Sequence, residues 1–385
     1  MKREKDPIIF KVNYIGSKKL LLSELKPIFD KYLENSKSFA DLFCGTGIVS
    51  DFVNREYPNI SSIFLNDLNE YASAISLSRI QQLDEKEIQL INNHIDILNS
   101  CRQEGFFFKN YSDKYFTGDN CKIIDGMNFY IDKLDNIKIK TFLKSVLICS
   151  ADSVANTSCV YGAYLKKIKK TAQTSLQLPK IKQWTNRKNV EINVNTGDIL
   201  DYIKDKDFDV VYLDPPYNSR QYGSNYHILE TIYKNDNPII SGKTGLRPYY
   251  KSSFCNKEVE NTFLKLIRNL KCNTIIMSYS NDGLLSKDKI KEILDTKYHT
   301  EIYEIKYKRF KSNSNTDQKD IVEYVFCGRS VQESIKKRLY TKDSLKNMTL
   351  TSLKNIARQL KIKKYSTFKL ADKEILTELI SLEEK

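Results

Sequence analysis

Two stretches of this sequence have residue types and spacing suited to chemistry on a small planar group. The first is Asp214-Pro215-Pro216-Tyr217, directly behind the apolar run Phe208 to Leu213. Two successive prolines cannot continue a strand ladder, so they hold the backbone in a rigid extended turn. That turn gathers a carboxylate, a carbonyl outside the ladder and an aromatic face around one space. The set suits a planar group bearing an NH₂: the two oxygens accept its hydrogens and the ring of Tyr217 stacks on it. The plainer alternative is a strand-ending turn with an incidental tyrosine.

The second stretch is Asp41-Leu42-Phe43-Cys44-Gly45-Thr46-Gly47, a strand running into a glycine turn that opens a helix. The glycines let backbone approach a ligand closely, and the helix start offers amide groups. Ser50 stands where the third glycine of the dinucleotide fingerprint belongs, which argues against NAD. Asp67 ends the next strand, where an acid can accept hydrogen bonds from ribose hydroxyls. It equally suits the N-cap of a helix from Leu68 to Leu77.

Both stretches need strands to position them. Ser38 to Phe43, Ile60 to Leu65, Phe208 to Leu213 and Asn273 to Tyr279 read as strands ending in polar loops, with later strands at Ile302 to Tyr307 and Ile321 to Phe326. Alternation with helical stretches predicts an α/β sheet. Residues 81–190 break that rhythm and read as a mainly helical insert. Asn218 to Phe254 reads as an irregular functional loop. Beyond Gly328, Met348 to Leu360 and Leu370 to Leu382 have helical apolar spacing around an extended Ile362 to Phe368.

The 385 residues are 41% hydrophobic and 29% charged, enough for a large core and outside collagen-like or wholly disordered compositions. Lys and Arg number 62 against 48 Asp and Glu, a net charge of +14 that favours a polyanionic partner, nucleic acid first. No run approaches the ~20 apolar residues of a membrane span, and no secretory leader is expected, so the expected location is cytoplasmic. Eight scattered cysteines with no Cys-x-x-Cys pair, and only three histidines, give neither a zinc framework nor a disulfide scaffold.

Taken in order, Asn13-Tyr14-Ile15-Gly16-Ser17-Lys18, the glycine motif, Asn66-Asp67, Gly197-Asp198-Ile199 and Asp214-Pro215-Pro216-Tyr217 make the chain resemble the Dam-like, alpha-group DNA adenine-N6 methyltransferases over Phe10 to Cys327. The resemblance implies a Rossmann-like S-adenosylmethionine-dependent sheet over 8–80 and 191–328. It also implies that the insert at 81–190 recognises the target. Tyr14, Lys18, Gly45, Thr46 and Gly47 would hold the methionine end of S-adenosylmethionine, with Asp41 ordering its amino group and Phe43 beside the adenosine. Asp67 would hold the ribose, and Asp198 and Ile199 would meet the cofactor adenine. Asp214, Pro215, Pro216 and Tyr217 would form the target-base pocket, and no metal is implied. Related enzymes often carry Trp in place of Tyr14 and Gly in place of Ser17. The tail at 331–385 resembles the small Rho N-terminal and SAP-like nucleic-acid-binding modules, through Leu350, Leu353, Ile356, Ala357, Leu360, Ile362, Tyr365, Ser366, Leu370, Ile375, Leu376 and Ile380.

Arg220 and Tyr222, just past the pocket motif, are expected to contact DNA, filling the gap left by an extruded base or holding phosphates. Tyr161, Lys166 and Lys167 lie in a stretch of lysines interleaved with tyrosines that suits a phosphate backbone, and a solvated helix face is the plainer reading. His227 is expected to be a satisfied polar residue with no catalytic role. The expected reaction is methyl transfer to N6 of a flipped adenine in duplex DNA, in a restriction-modification or solitary system, with a separate restriction endonuclease as possible partner. The alternatives are methylation of RNA adenine, methylation of a protein glutamine (where Asn usually replaces Asp214), and a nucleic-acid-binding protein with a dead cofactor site.

Overall fold

The computed structural model describes residues 8–182, 184, 189–307, 321–330, 345–346, 348–360 and 362–383. In chain order the elements are α1 (Leu22–Leu33), β1 (Ser38–Asp41), α2 (Ile48–Glu56), β2 (Ser62–Asp67), α3 (Glu70–Ile80), α4 (Glu85–Leu98), α5 (Phe106–Tyr111), α6 (Gly118–Asp132), α7 (Ile137–Ser153) and β3 (Glu191–Thr196). They continue with α8 (Ile199–Tyr202), β4 (Asp207–Leu213), α9 (Tyr222–Asn225), α10 (His227–Lys234), α11 (Val259–Asn269), β5 (Lys271–Ser280), α12 (Lys287–Asp295), β6 (Tyr298–Tyr307), β7 (Ile321–Ser330), α13 (Leu350–Gln359) and α14 (Lys373–Glu383). Strand order is β3-β2-β1-β4-β5-β7-β6, a Rossmann-like mixed sheet. The chain divides into two units, residues 1–22, 44–198 and 220–252, and residues 23–43, 199–219 and 253–385.

In the first unit β2 and β3 pair in parallel, with Asp67 level with Thr196. The six-residue strand Glu191–Thr196 has no counterpart in the apolar pattern. Its alternating Ile192 and Val194 among polar residues and its partly exposed burial pattern are those of an edge strand. Helices α3, α4, α6, α7 and α10 share one apolar core, in which Ile75, Ile91, Ile124, Leu147 and Leu229 are all buried. α4 starts in a capping box, with Asp84 and Glu87 exchanging side-chain-to-backbone bonds. The irregular stretch Asn218 to Phe254 contains α9 and, starting at His227, the helix α10, whose Ile228, Leu229 and Ile232 are buried.

In the second unit β1, β4 and β5 are parallel, while β7 runs antiparallel to β5 and β6. The start of the β1–β4 pair is tied twice: Asp209 Oδ2 accepts the Lys37 and Ser38 amides at 2.7 and 2.9 Å, and the Asp209 amide donates to Ser38 Oγ at 2.8 Å. That lock sets Asp41 level with Tyr212, so both strands reach their carboxyl ends together. The tail forms α13 and α14 around its own small core of Leu345, Met348, Leu353, Ile356, Ala357, Leu376 and Ile380. Leu370 and Ile375, both in the expected apolar pattern, stay exposed. Leu370 sits in a 3-10 turn ahead of α14, off the helical phase the spacing assumed. Residues 331–344 of the expected tail lie outside the described residues.

Replacing Asp209 by Ala removes the carboxylate oxygen of β4 that accepts two amides at the start of β1. We expect a loss of ~2 kcal/mol in urea unfolding, with the fold retained.

Candidate active site

In the first unit the β2–β3 register brings Asp67 and Gly197-Asp198 to the same strand ends, and the Gly197 amide donates to the Asp67 carbonyl at 2.9 Å. The Asp67 carboxylate is buried. Its Oδ1 accepts the Asn69 backbone and side-chain amides at 2.9 and 3.1 Å, and its Oδ2 accepts the Gly45 amide at 3.0 Å. Burial pushes the carboxyl above its ordinary range, and these donors pull it back part of the way. Asp67 is not the cap of the following helix. α3 begins at Glu70, and its first amides, Glu70 and Tyr71, donate to Glu230 of α10 at 3.3 and 3.0 Å.

The glycine turn is built as its composition demands. Gly45 and Gly47 have φ of +50° and +71°, where a side chain is strained. A Cβ on Gly47 would also lie 2.7 Å from the Ser76 Cα. The Gly45 amide goes to Asp67 and the Gly47 amide to the Cys44 carbonyl at 2.8 Å, so two of the amides the sequence offered to a ligand are used within the protein. Ser76 Oγ donates to the Gly45 carbonyl at 3.0 Å, and Arg79 Nε to that of Thr46 at 2.8 Å. The ring of Tyr14 packs against Gly45, where a Cβ would meet it at 3.0 Å. Lys18 is buried and its Nζ donates to the Gly16 carbonyl at 3.1 Å.

The second unit holds Asp41, Phe43, Ile199 and Asp214 to Tyr217. Asp41 is buried at the end of β1, and the next amide, Leu42, donates to the Tyr212 carbonyl at 3.2 Å. Two residues beyond Tyr212, β4 gives way to the half-buried Asp214. The Leu284 amide donates to the Tyr217 carbonyl at 2.8 Å, and the Tyr217 ring meets Tyr279 edge-on, 6.4 Å between centroids. The turn is therefore held from its far end as well as by its prolines. Phe43 packs edge-on against Phe254 at 5.1 Å, and Ile199 is buried at the start of α8.

Of the residues expected to touch DNA, Arg220, Lys166 and Lys167 are exposed. Tyr161 is not: it is fully buried, its hydroxyl donating to Asp152 at 2.8 Å and its carbonyl accepting from Tyr115 and His227. An aromatic ring beside an apolar helix bundle gains more from burial than from water, whatever the lysines after it do. Tyr222 is half-buried, its hydroxyl donating to the Ile15 carbonyl at 3.2 Å. The stretch from Tyr161 to Lys170 is irregular rather than a helix face. Sequence reasoning missed Ser76, Arg79 and Glu230, which brace the glycine turn and α3. Each acts on backbone 31 to 160 residues away, and no local pattern signals such a partner.

Residues 14–311 match the family model described as D12 class N6 adenine-specific DNA methyltransferase. The chain is 34% identical over 327 residues to the Type II methyltransferase M.NlaIII of Neisseria lactamica, covering 80% of this chain and 95% of that protein. It is 36% identical over 330 residues to the Type II methyltransferase M.CviAII of Paramecium bursaria Chlorella virus 1, covering 82% and 98%. Against the Type II methyltransferase M.FokI of Planomicrobium okeanokoites it is 34% identical over 82% of this chain, and spans only 52% of that longer protein.

His227 is buried with Nε2 bonded to the Tyr161 carbonyl at 3.0 Å, and burial lowers it from 6.5 to about 4. As pH falls, the unfolded chain takes up this proton first. The stabilisation is therefore full above pH 6.5 and fades as pH drops towards 4, by about 3 kcal/mol at most. Urea unfolding at pH 7.0 and 4.5 is expected to show a smaller loss on acidification in His227→Gln than in the parent.

Proposed function

Since the chain belongs to the D12 class of N6 adenine-specific DNA methyltransferases, we propose that Asp214 to Tyr217 hold the target adenine while Tyr14, the glycine turn and Asp67 hold the methyl donor. The enzyme methylates N6 of adenine at specific DNA sites with S-adenosylmethionine. The residues present fit that donor. Asp67 Oδ2 accepts the Gly45 amide, and a carboxylate oxygen has lone-pair capacity for a second donor such as a ribose hydroxyl. Nearby, the buried Tyr71 hydroxyl has no hydrogen-bond partner among the described residues. Bound there, the donor supplies an electrophilic methyl group on a sulfonium.

The observation that carries the proposal is the placement of Asp214 just beyond the carboxyl end of β4, level with the end of β1, in a turn braced by Leu284 and Tyr279. Adenine N6 is a poor nucleophile because its lone pair is delocalised into the ring. Asp214 and the Pro215 carbonyl accept the N6 hydrogens best as the nitrogen becomes pyramidal, which frees that pair. Tyr217 holds the plane of the base. Asp214 need not be a strong base, because the proton can leave after transfer. Positioning and preorganised electrostatics supply most of the rate, and the base must leave the duplex to reach the turn.

Finer assignments belong to the same reading. The motif order groups the enzyme with the Dam-like alpha arrangement. Lys18 and Asp41 face the methionine end, Phe43 the adenosine, and Asp198 and Ile199 the cofactor adenine. Arg220, Lys166 and Lys167 take phosphates, and residues 81–190 help select the target. The Type II and modification-methylase names of its relatives support a restriction-modification setting with a separate endonuclease. The tail adds non-specific DNA affinity through exposed Lys363, Lys364 and Lys369.

Single-turnover methylation of duplex DNA tests the pocket, with the product nucleoside identified by mass spectrometry. Asp214→Ala is expected to slow transfer by at least ~100-fold while DNA binding largely survives. Tyr217→Phe is expected to keep much of the activity that Tyr217→Ala loses, because stacking needs the ring. A near-normal rate in Asp214→Ala would overturn the assignment. Deleting residues 331–385 is expected to raise the DNA dissociation constant and flatten its salt dependence, with turnover at saturating DNA unchanged. An unaltered salt slope would remove the tail from the DNA-binding surface.

A further inference from the structure

Asn13 to Gly16 lies outside any helix or strand, so its backbone bonds must go to other parts of the first unit. Besides the local bond from the Tyr14 amide to the Val12 carbonyl, two segments distant in sequence supply them. Asp152, at the end of α7, accepts the Asn13 backbone amide at 2.8 Å and its side-chain amide at 3.0 Å through Oδ2. Tyr226 accepts the Ile15 amide at 2.7 Å and donates to the Asn13 carbonyl at 3.3 Å. Tyr222 donates to the Ile15 carbonyl. The partners are themselves joined: Tyr161 donates its hydroxyl to Asp152 Oδ1, and its amide to the Asn225 carbonyl at 2.7 Å. Asp152 and Tyr226 are both buried, Tyr226 completely.

The effect of this clamp falls on Tyr14. Its ring stacks on that of Tyr226, 5.0 Å between centroids and 18° between planes, and its Cε1, Cζ and hydroxyl lie against Gly45 of the glycine turn. Tyr226 thus fixes both the backbone on either side of Tyr14 and the plane of its ring. Neither Tyr226 nor Asp152 lies in a motif that touches donor or base.

We infer that Tyr226 and Asp152 are positioning residues for donor binding: they hold Asn13 to Gly16 in the one conformation that sets Tyr14 against the glycine turn. The inference rests on the reading of Tyr14, Gly45 and Asp67 as the donor site. Without the Tyr226 hydroxyl the partly buried Ile15 amide loses its acceptor and the segment populates other conformations. Apparent donor affinity then falls in proportion to the competent fraction. Once the donor is bound the geometry is restored, so the loss appears in KM and not in kcat.

The test is calorimetric titration of the full-length protein with S-adenosylmethionine, alongside steady-state methylation at saturating DNA. Tyr226→Phe, which keeps the ring, is expected to raise the donor Kd and KM by about 10-fold, the scale of one partly buried hydrogen bond left unmade. kcat and DNA affinity are expected to stay within about twofold, since the DNA contacts and the reacting groups lie elsewhere. Asp152→Asn, which loosens the same segment from its other side, is expected to show the same split. It decides the matter if Tyr226→Phe does not fold. A purely structural role would lower the active fraction and leave the donor Kd of the folded protein unchanged, and that result overturns the inference. Asp67→Ala separates the two levels. If it loses donor affinity while Tyr226→Phe and Asp152→Asn do not, the positioning role is wrong and the donor site stands. If none of the three variants alters affinity, the donor site itself is misplaced.

Discussion

A buried carboxylate bonded to the amide of a left-handed glycine is the interaction on which the glycine turn and its surroundings depend. Asp67 would be costly in that environment if left unpaired. Three amide donors around it offset the cost, and one of them, Gly45, belongs to the turn between Cys44 and α2. The bond sets the depth of the turn against the end of β2. Ser76 and Arg79 then hold the outer carbonyls of the turn, and Tyr14 closes on Gly45. A side chain at Gly47 would press on Ser76 and force α2 away from α3.

The turn from Asp214 to Tyr217 obeys a different constraint. Parallel strands with locked starts finish together, and Asp209 locks the start of the β1–β4 pair. Asp214 is therefore delivered at a strand end, and the prolines keep the chain from continuing along β5. The brace at Tyr217 matters for the proposed pocket, where stacking on a flat base would need the ring plane held. An edge-on contact from Tyr279 meets the ring, and the Leu284 amide holds the Tyr217 carbonyl.

Much of this was legible beforehand because it rests on local chemistry. Apolar runs gave the central strands, and paired prolines marked where β4 must stop. Glycines at positive φ announced a turn that other residues cannot form. What escaped was non-local or weakly patterned. Edge strand β3 has too few apolar residues to stand out, and Leu370 fell out of helical phase in a 3-10 turn. Tyr161, set among lysines, looked like a surface residue, yet the helix bundle offered its ring burial and Asp152 offered its hydroxyl an acceptor.

The sequence by itself determined the motifs, their order and the chemistry that those residue types allow, because composition and short-range spacing dictate turns, strand ends and hydrogen-bonding inventory. Only the tertiary structure decided which groups are already committed. The Gly45 amide belongs to Asp67, the Asn13 amide to Asp152 and the Ile15 amide to Tyr226, across separations of 22 to 211 residues. A buried polar group takes whatever partner folding brings within about 3 Å, and proximity of that kind is a property of packing that no stretch of sequence carries alone.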